Sequence, residues 1–297
     1  MWASPPRADG LAAVVAETTI LAGVRGRAAE LARLAVWNAR EPGLSALCWR
    51  SQPGEVALRA AVLVGPGDSG SPARLLAHAA LLQAGESLRA ADVLAIDMPD
   101  ARLVASAPPA GVAVPAGAAV PVEQTEAWRA YAGGSRARVA ALAAQVSGLV
   151  ALAPAPWVRA TRAAHGIDAE IACGDATRPG EGTALLRVSA TQPHPRLGAG
   201  LMLALVPPRA LEPLADRVHA TAALLNEAEC NEWTGIDQLG GWCVHPAAGL
   251  SHVTFVPALA AEDDTATRLA WQAAVRSRWA LDFIGRVAAL RTQPPDR

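Results

Sequence analysis

The side chains most able to do chemistry gather late in the chain, at Cys230, Cys243, His245 and His252. A Cys/His quartet could hold zinc, and Cys243 and His245, two apart on a strand, would share one face. Structural zinc favours ligands paired closely on turns, however, and only this one pair is close. Cys230 as a nucleophile, with His245 or His252 as base and Glu229 or Glu232 to orient it, can be drawn. Four cysteines and six histidines offer many such triples by composition alone. Small buried thiols and a hairpin histidine account for the same residues more simply. Glu229 and Glu232, three apart on a helix, fit a solvated face, and Glu262-Asp263-Asp264 fits a helix start. Gly65-Pro66-Gly67-Asp68-Ser69-Gly70-Ser71 sits between a strand and a helix, where phosphate loops occur. It lacks the P-loop lysine and the dinucleotide spacing, so it reads as a plain loop with Ser71 capping the helix. No catalytic residue, metal site or cofactor is assigned.

Aromatic usage points elsewhere. Nine tryptophans stand against one tyrosine and two phenylalanines, and Trp233, Trp242, Trp271 and Trp279 all fall in the last quarter. Exposed, they would make a hydrophobic docking surface, with Arg276 and Arg278 on its rim. Buried, they would fill a core poor in phenylalanine. These six residues are the candidate binding set.

Such a set needs a scaffold, and the composition provides for one. At 297 residues, 52% hydrophobic and 18% charged, the chain can build a large core. A net charge of −1 supplies no general attraction to nucleic acid or anionic lipid. Every basic residue other than histidine is arginine. No charged-then-apolar leader opens the sequence, and the cysteines form no CxxC pair, so reduced thiols and a cytoplasmic location are expected. Leu11 to Val24 and Val139 to Pro156 are apolar, but too short or too interrupted to span a membrane, and read as buried helices.

Internal matches suggest tandem modules. Ala79-Ala80-Leu81-Leu82 recurs as Ala222-Ala223-Leu224-Leu225, and Trp128 as Trp271, both 143 positions on. Cys48 answers Cys173 at an offset of 125, each followed by Pro-Gly-Glu. The second copy would hold extra material near Gln192 to Gly198. Modules at 1–153 and 154–297 are expected, with Ala153-Pro154-Ala155-Pro156 between them.

In the second copy, periodicity and turn residues predict a helix over Trp157–His165 and strands over Ile167–Cys173, Thr183–Thr191 and Gly200–Val206. A helix over Arg209–Trp233 follows, then a hairpin of Gly240–His245 and His252–Val256, then a helix over Asp264–Leu290. The first copy reads as helix Arg25–Ala39, strands Ser45–Arg50 and Val56–Val64, and helix Pro72–Leu88. Strands at Val93–Asp97 and Arg102–Ala105 and a helix over Thr125–Val150 complete it. The fold class expected is α+β, a mainly antiparallel sheet packed against helices, in the order helix, strands, helix, hairpin, helix.

The stretches Ala222–Trp233 (AALLNEAECNEW), Leu239–Val244 (LGGWCV), His252–Pro257 (HVTFVP) and Trp271–Ala280 (WQAAVRSRWA) resemble the YbjN-like family and the type III secretion chaperone-like fold. The likeness runs from about Thr183 to Arg286. It implies an adaptor or chaperone-like protein with a protein partner, and no catalytic residues to carry over. The leading expectation is therefore non-enzymatic protein binding, without nucleic acid or membrane, and compatible with a homo-oligomer. The alternatives are an enzyme or metal protein using the Cys/His hairpin, or a structural subunit of a larger assembly.

Overall fold

The computed structural model describes residues 1–4, 6, 10–68, 70–104, 130–131, 136–150, 158–173, 182–208, 217–232 and 235–292. They form an α+β fold with two antiparallel sheets and five helices. The first sheet holds β1 (Trp2–Ala3), β2 (Ala12–Ala22), β3 (Ala46–Arg50), β4 (Glu55–Val64) and β5 (Arg102–Leu103). The second holds β6 (Val158–Ala163), β7 (Gly166–Ala172), β8 (Thr183–Ser189), β9 (Gly200–Val206), β10 (Gly241–His245) and β11 (Gly249–Pro257). The helices are α1 (Ala28–Arg40), α2 (Ser71–Asp97), α3 (Arg136–Gly148), α4 (Val218–Asn231) and α5 (Thr265–Thr292).

Three expectations fail locally. Leu11–Val24 is not a helix but β2, since Val14, Val15, Thr18, Thr19 and Ile20 are β-branched and the strand pairs along β4. Trp157–His165 is not a helix either. From Val158 the chain is strand β6, turning tightly through Ala164 and His165 into β7. Val93–Asp97 is no strand: Ala90 and Ala91 carry α2 through to Asp97. The remaining strands and helices lie where expected to within a few residues, although 125–129, 132–135, 174–181 and 209–216 fall outside the described residues.

One path occurs twice. Strand, helix, hairpin, helix runs as β2–α1–β3–β4–α2 and again as β9–α4–β10–β11–α5. In each, the first strand pairs with the last, which pairs with the middle one, all antiparallel. Across the hairpins the offset between the paths is about 194, not 143 or 125. Cys48, on edge strand β3, therefore corresponds to Cys243 on β10. It does not correspond to Cys173, which follows the interior strand β7. Helix α3, expected to close the first module, packs instead on β7, β8, β9 and α5 of the second sheet.

The two paths interlock. Ala61 on β4 exchanges both backbone hydrogen bonds with Gln238, ahead of β10. Phe255 on β11 donates its N–H to the carbonyl of Gly43, ahead of β3, at 3.3 Å. Ala61 and Phe255 are 194 apart and Gly43 and Gln238 195 apart, so each unit completes the other in an isologous manner. Helices α1 and α4 pack on each other and on both facing edge strands. Each clamps its own hairpin with an asparagine. Asn38 accepts the N–H of Leu47 at 2.8 Å and donates to its carbonyl at 3.0 Å. Asn226 treats Trp242 identically, at 2.8 Å both ways. Strand edges that would otherwise be exposed are thereby covered. The largest apolar core runs without a break from Ala16, Leu44 and Leu75 to Trp242, Phe255 and Ala273.

Candidate functional site

Where the units meet, a buried ionic seam replaces the expected tryptophan surface. Trp242 is fully buried, its indole N–H donating to Glu229 Oε1 at 3.1 Å. Arg276, 3% exposed, donates from Nε to the same oxygen at 2.8 Å and from Nη2 to the Asp237 carbonyl at 2.6 Å. Neither can meet a partner; both are core, because an indole and a guanidinium so deep need the carboxylate that each finds. Trp279 is half-buried, stacked on Phe283 and bonded to Glu232 at 3.4 Å. Trp271, 59% exposed, and Arg278, which donates to the Ala172 carbonyl, stand at the surface. Trp233 lies outside the described residues.

The seam continues across the units. Asp237, 1% exposed, accepts from the Leu63 N–H, from Arg268 twice and from Gln272, at 2.6–3.0 Å. Arg59 on β4 donates to Glu17, to Gln238 and to the Cys230 carbonyl at 2.9–3.2 Å. A small cleft lies beside it, floored by Val15, Ala61 and Leu63 and edged by Cys230 and Glu232. These polar groups hold one unit to the other, and sequence reasoning missed them. Charged residues spread over β4, α4, α5 and one loop carry no common spacing.

The Cys/His quartet does not converge. Trp242 and His252 are directly paired across the hairpin and share a face, ring centroids 5.4 Å apart, while Cys243 points to the opposite face. His245 is exposed at the hairpin's end. Burial pushes the Cys243 thiol up to about 12, and burial with the nearby Arg276 charge keeps His252 well below the ordinary histidine range. A hydrogen bond to Cys230, with burial, likewise raises the Cys48 thiol. Thiols kept protonated are poor nucleophiles and poor metal ligands. Among the described residues no group of three His, Cys, Asp or Glu could hold a metal ion. Ser71 does not cap α2, which starts from left-handed Gly70. Its hydroxyl donates to Asp264 at 3.1 Å.

What remains open is an apolar helix face. Leu81, Leu88 and Ile96 of α2 are 50%, 58% and 82% exposed, with Ala77 and Ala84 on the same stripe. Steps of three and four residues from Ala77 to Leu88, and two turns on to Ile96 past the exposed Asp92, place them on one side of the helix. The opposite side, Leu75, Leu76, Ala79, Leu82, Ala90 and Leu94, is buried against the first sheet. No helix among the described residues is long and apolar enough to cross a membrane. No family model matches this sequence, and no curated protein or solved structure matches it.

Proposed function

We propose that the chain is a non-enzymatic protein-binding protein of the adaptor or chaperone kind, which docks an apolar partner segment on the outer face of α2. The observation that carries this reading is the exposure of Leu81, Leu88 and Ile96 on one side of α2, with Asp92 between the last two. The resemblance of the C-terminal half to YbjN-like and type III secretion chaperone-like proteins points the same way. Spacing at seven and eight residues suits a partner helix laid along α2, with leucine-sized side chains entering between its turns. Burying each such side chain contributes about 1.5–3 kcal/mol, so two of them decide whether a complex survives washing.

The test is co-purification from the native host, comparing the wild-type chain with a Leu81→Glu/Leu88→Glu variant. Both positions are exposed, so the variant's Tm should stay within a few degrees. A protein held by the wild type and lost by this variant, but kept by Leu185→Glu on the second sheet, supports the reading. Identical captured sets from wild type and the α2 variant would overturn it.

A further inference from the structure

The loop Gln192–Gly198, which the sequence sets apart as extra material, reaches from the second unit onto the first. Its Arg196 grips Glu41, at the end of α1, with Nε at 3.1 Å and Nη2 at 2.7 Å. Arg89 of α2 pairs with the same carboxylate and lies over the Trp37 ring at 5.1 Å. Behind them Glu86, one helical turn before Arg89, is buried beside Gly43, the residue whose carbonyl is hydrogen-bonded by Phe255. The loop folds on His194, which is buried against Phe255. Its Nδ1 accepts the N–H groups of Arg196 and Leu197 at 3.1 Å, and its backbone pairs with Gly198. Two carboxyl groups and two guanidinium groups thus cluster between the units, beside the histidine on which the loop folds.

We propose that this cluster is a pH-sensitive latch: Glu86 in its neutral form leaves Arg89 and Arg196 to Glu41 and the loop closed, and ionised Glu86 competes for them and loosens it. Glu86 lies within electrostatic reach of Glu41 at the end of α1, Arg89 on its own helix and Arg196 from the loop. Burial raises the Glu86 carboxyl to about 7, against the lowering pull of Arg196 and Arg89. Burial and the same arginines lower His194 to about 4. The signs follow from which state binds the proton. For Glu86, the stability present below about 4.5 is lost as pH rises through 7. For His194, the stability present above about 6.5 is lost as pH falls through 4. Between 4.5 and 6.5 the two nearly cancel, and above 6.5 Glu86 alone weakens the closed state.

Hydrogen exchange of the His194, Arg196, Leu197 and Gly198 amides tests the latch, followed from about pH 5 to pH 8.5 and corrected for intrinsic rates. The readout is wild-type protection divided by that of Glu86→Gln, in which the His194 contribution cancels. This ratio should fall about ten- to a hundredfold as pH rises from 5 to 8. Glu41→Gln, which removes the clamp itself, should lower protection at every pH. A ratio that stays constant with pH would overturn the proposal. So would a fall spread evenly over β2, β4, β9 and β11, since that reports global unfolding and not a latch.

Discussion

Replacing Arg276 by alanine is expected to cost about 3–5 kcal/mol of folding stability, among the largest effects of any single substitution. The guanidinium is 3% exposed and holds both Glu229 and the Asp237 carbonyl. Without it, the Glu229 carboxylate keeps, among the described residues, the Trp242 indole N–H, and the Asp237 carbonyl loses its guanidinium donor in a buried setting. Adding Glu229→Gln to the alanine variant should recover part of the loss, because the orphaned charge disappears with it. Arg276→Lys should not restore wild-type stability, since one ammonium lacks the planar fork that reaches two acceptors. Urea unfolding reads all four proteins. A loss below about 1 kcal/mol for Arg276→Ala would mean that water or a neighbouring cation replaces the guanidinium.

The second large effect is expected at Gly241, where the two edge strands come closest. A Cβ there would lie 2.5 Å from the Cβ of Ala46, 3.2 Å from Asn38 Nδ2 and 3.4 Å from Asn226 Oδ1. Ala46 is the position 195 before Gly241, so the contact lies on the local two-fold axis and both clamping asparagines border it. Gly241→Val should destabilise by about 3 kcal/mol through overpacking. Gly241→Ala should cost less, and should be partly relieved in an Ala46→Gly background. Additive losses from Gly241→Ala and Ala46→Gly would show that the two residues do not meet.

Much of the architecture is legible in local pattern. Strands β7 and β8 announce themselves by alternation, and the hairpin β10–β11 and strands β3, β4 and β9 by short apolar or β-rich runs between turn residues. Strand β2 reads wrongly as a helix because Ala12–Ala16 and Ile20–Ala22 are apolar runs in which alternation is lost. Its β-branched content, with Gly10 and Gly23 at the ends, is the available signal. The sequence matches at 143 and 125 do not coincide with the path that recurs in the structure at an offset of about 194. Alanine-rich helices align at many offsets, whereas the informative matches are Cys48 with Cys243 and Asn38 with Asn226, positions with fixed hydrogen-bonding or packing duties.

The candidate site is less legible, for a physical reason. Tryptophan is read from sequence as an interface residue because it combines area with a donor. Trp242 shows the same properties serving a core, once Glu229 is brought within reach from another element. Glu229 itself reads as solvated, since a carboxylate three residues from another suggests a wet face. Only the packing of α4 against β3 and β10 turns that face inward. By contrast, Leu81 and Leu88 face outward because α2 covers its sheet with the opposite stripe.

The claim beneath all of this is that each strand–helix–hairpin–helix unit is finished only by the other. The most direct measurement is hydrogen exchange by mass spectrometry across a urea series, comparing peptides from β2 and β4 with peptides from β9 and β11. Mutual completion requires a single transition, the two sets losing protection at one midpoint with one cooperative slope. If β2 and β4 opened at one urea concentration while β9 and β11 stayed protected to another well above it, the units would be independent, and the shared seam would be mere contact.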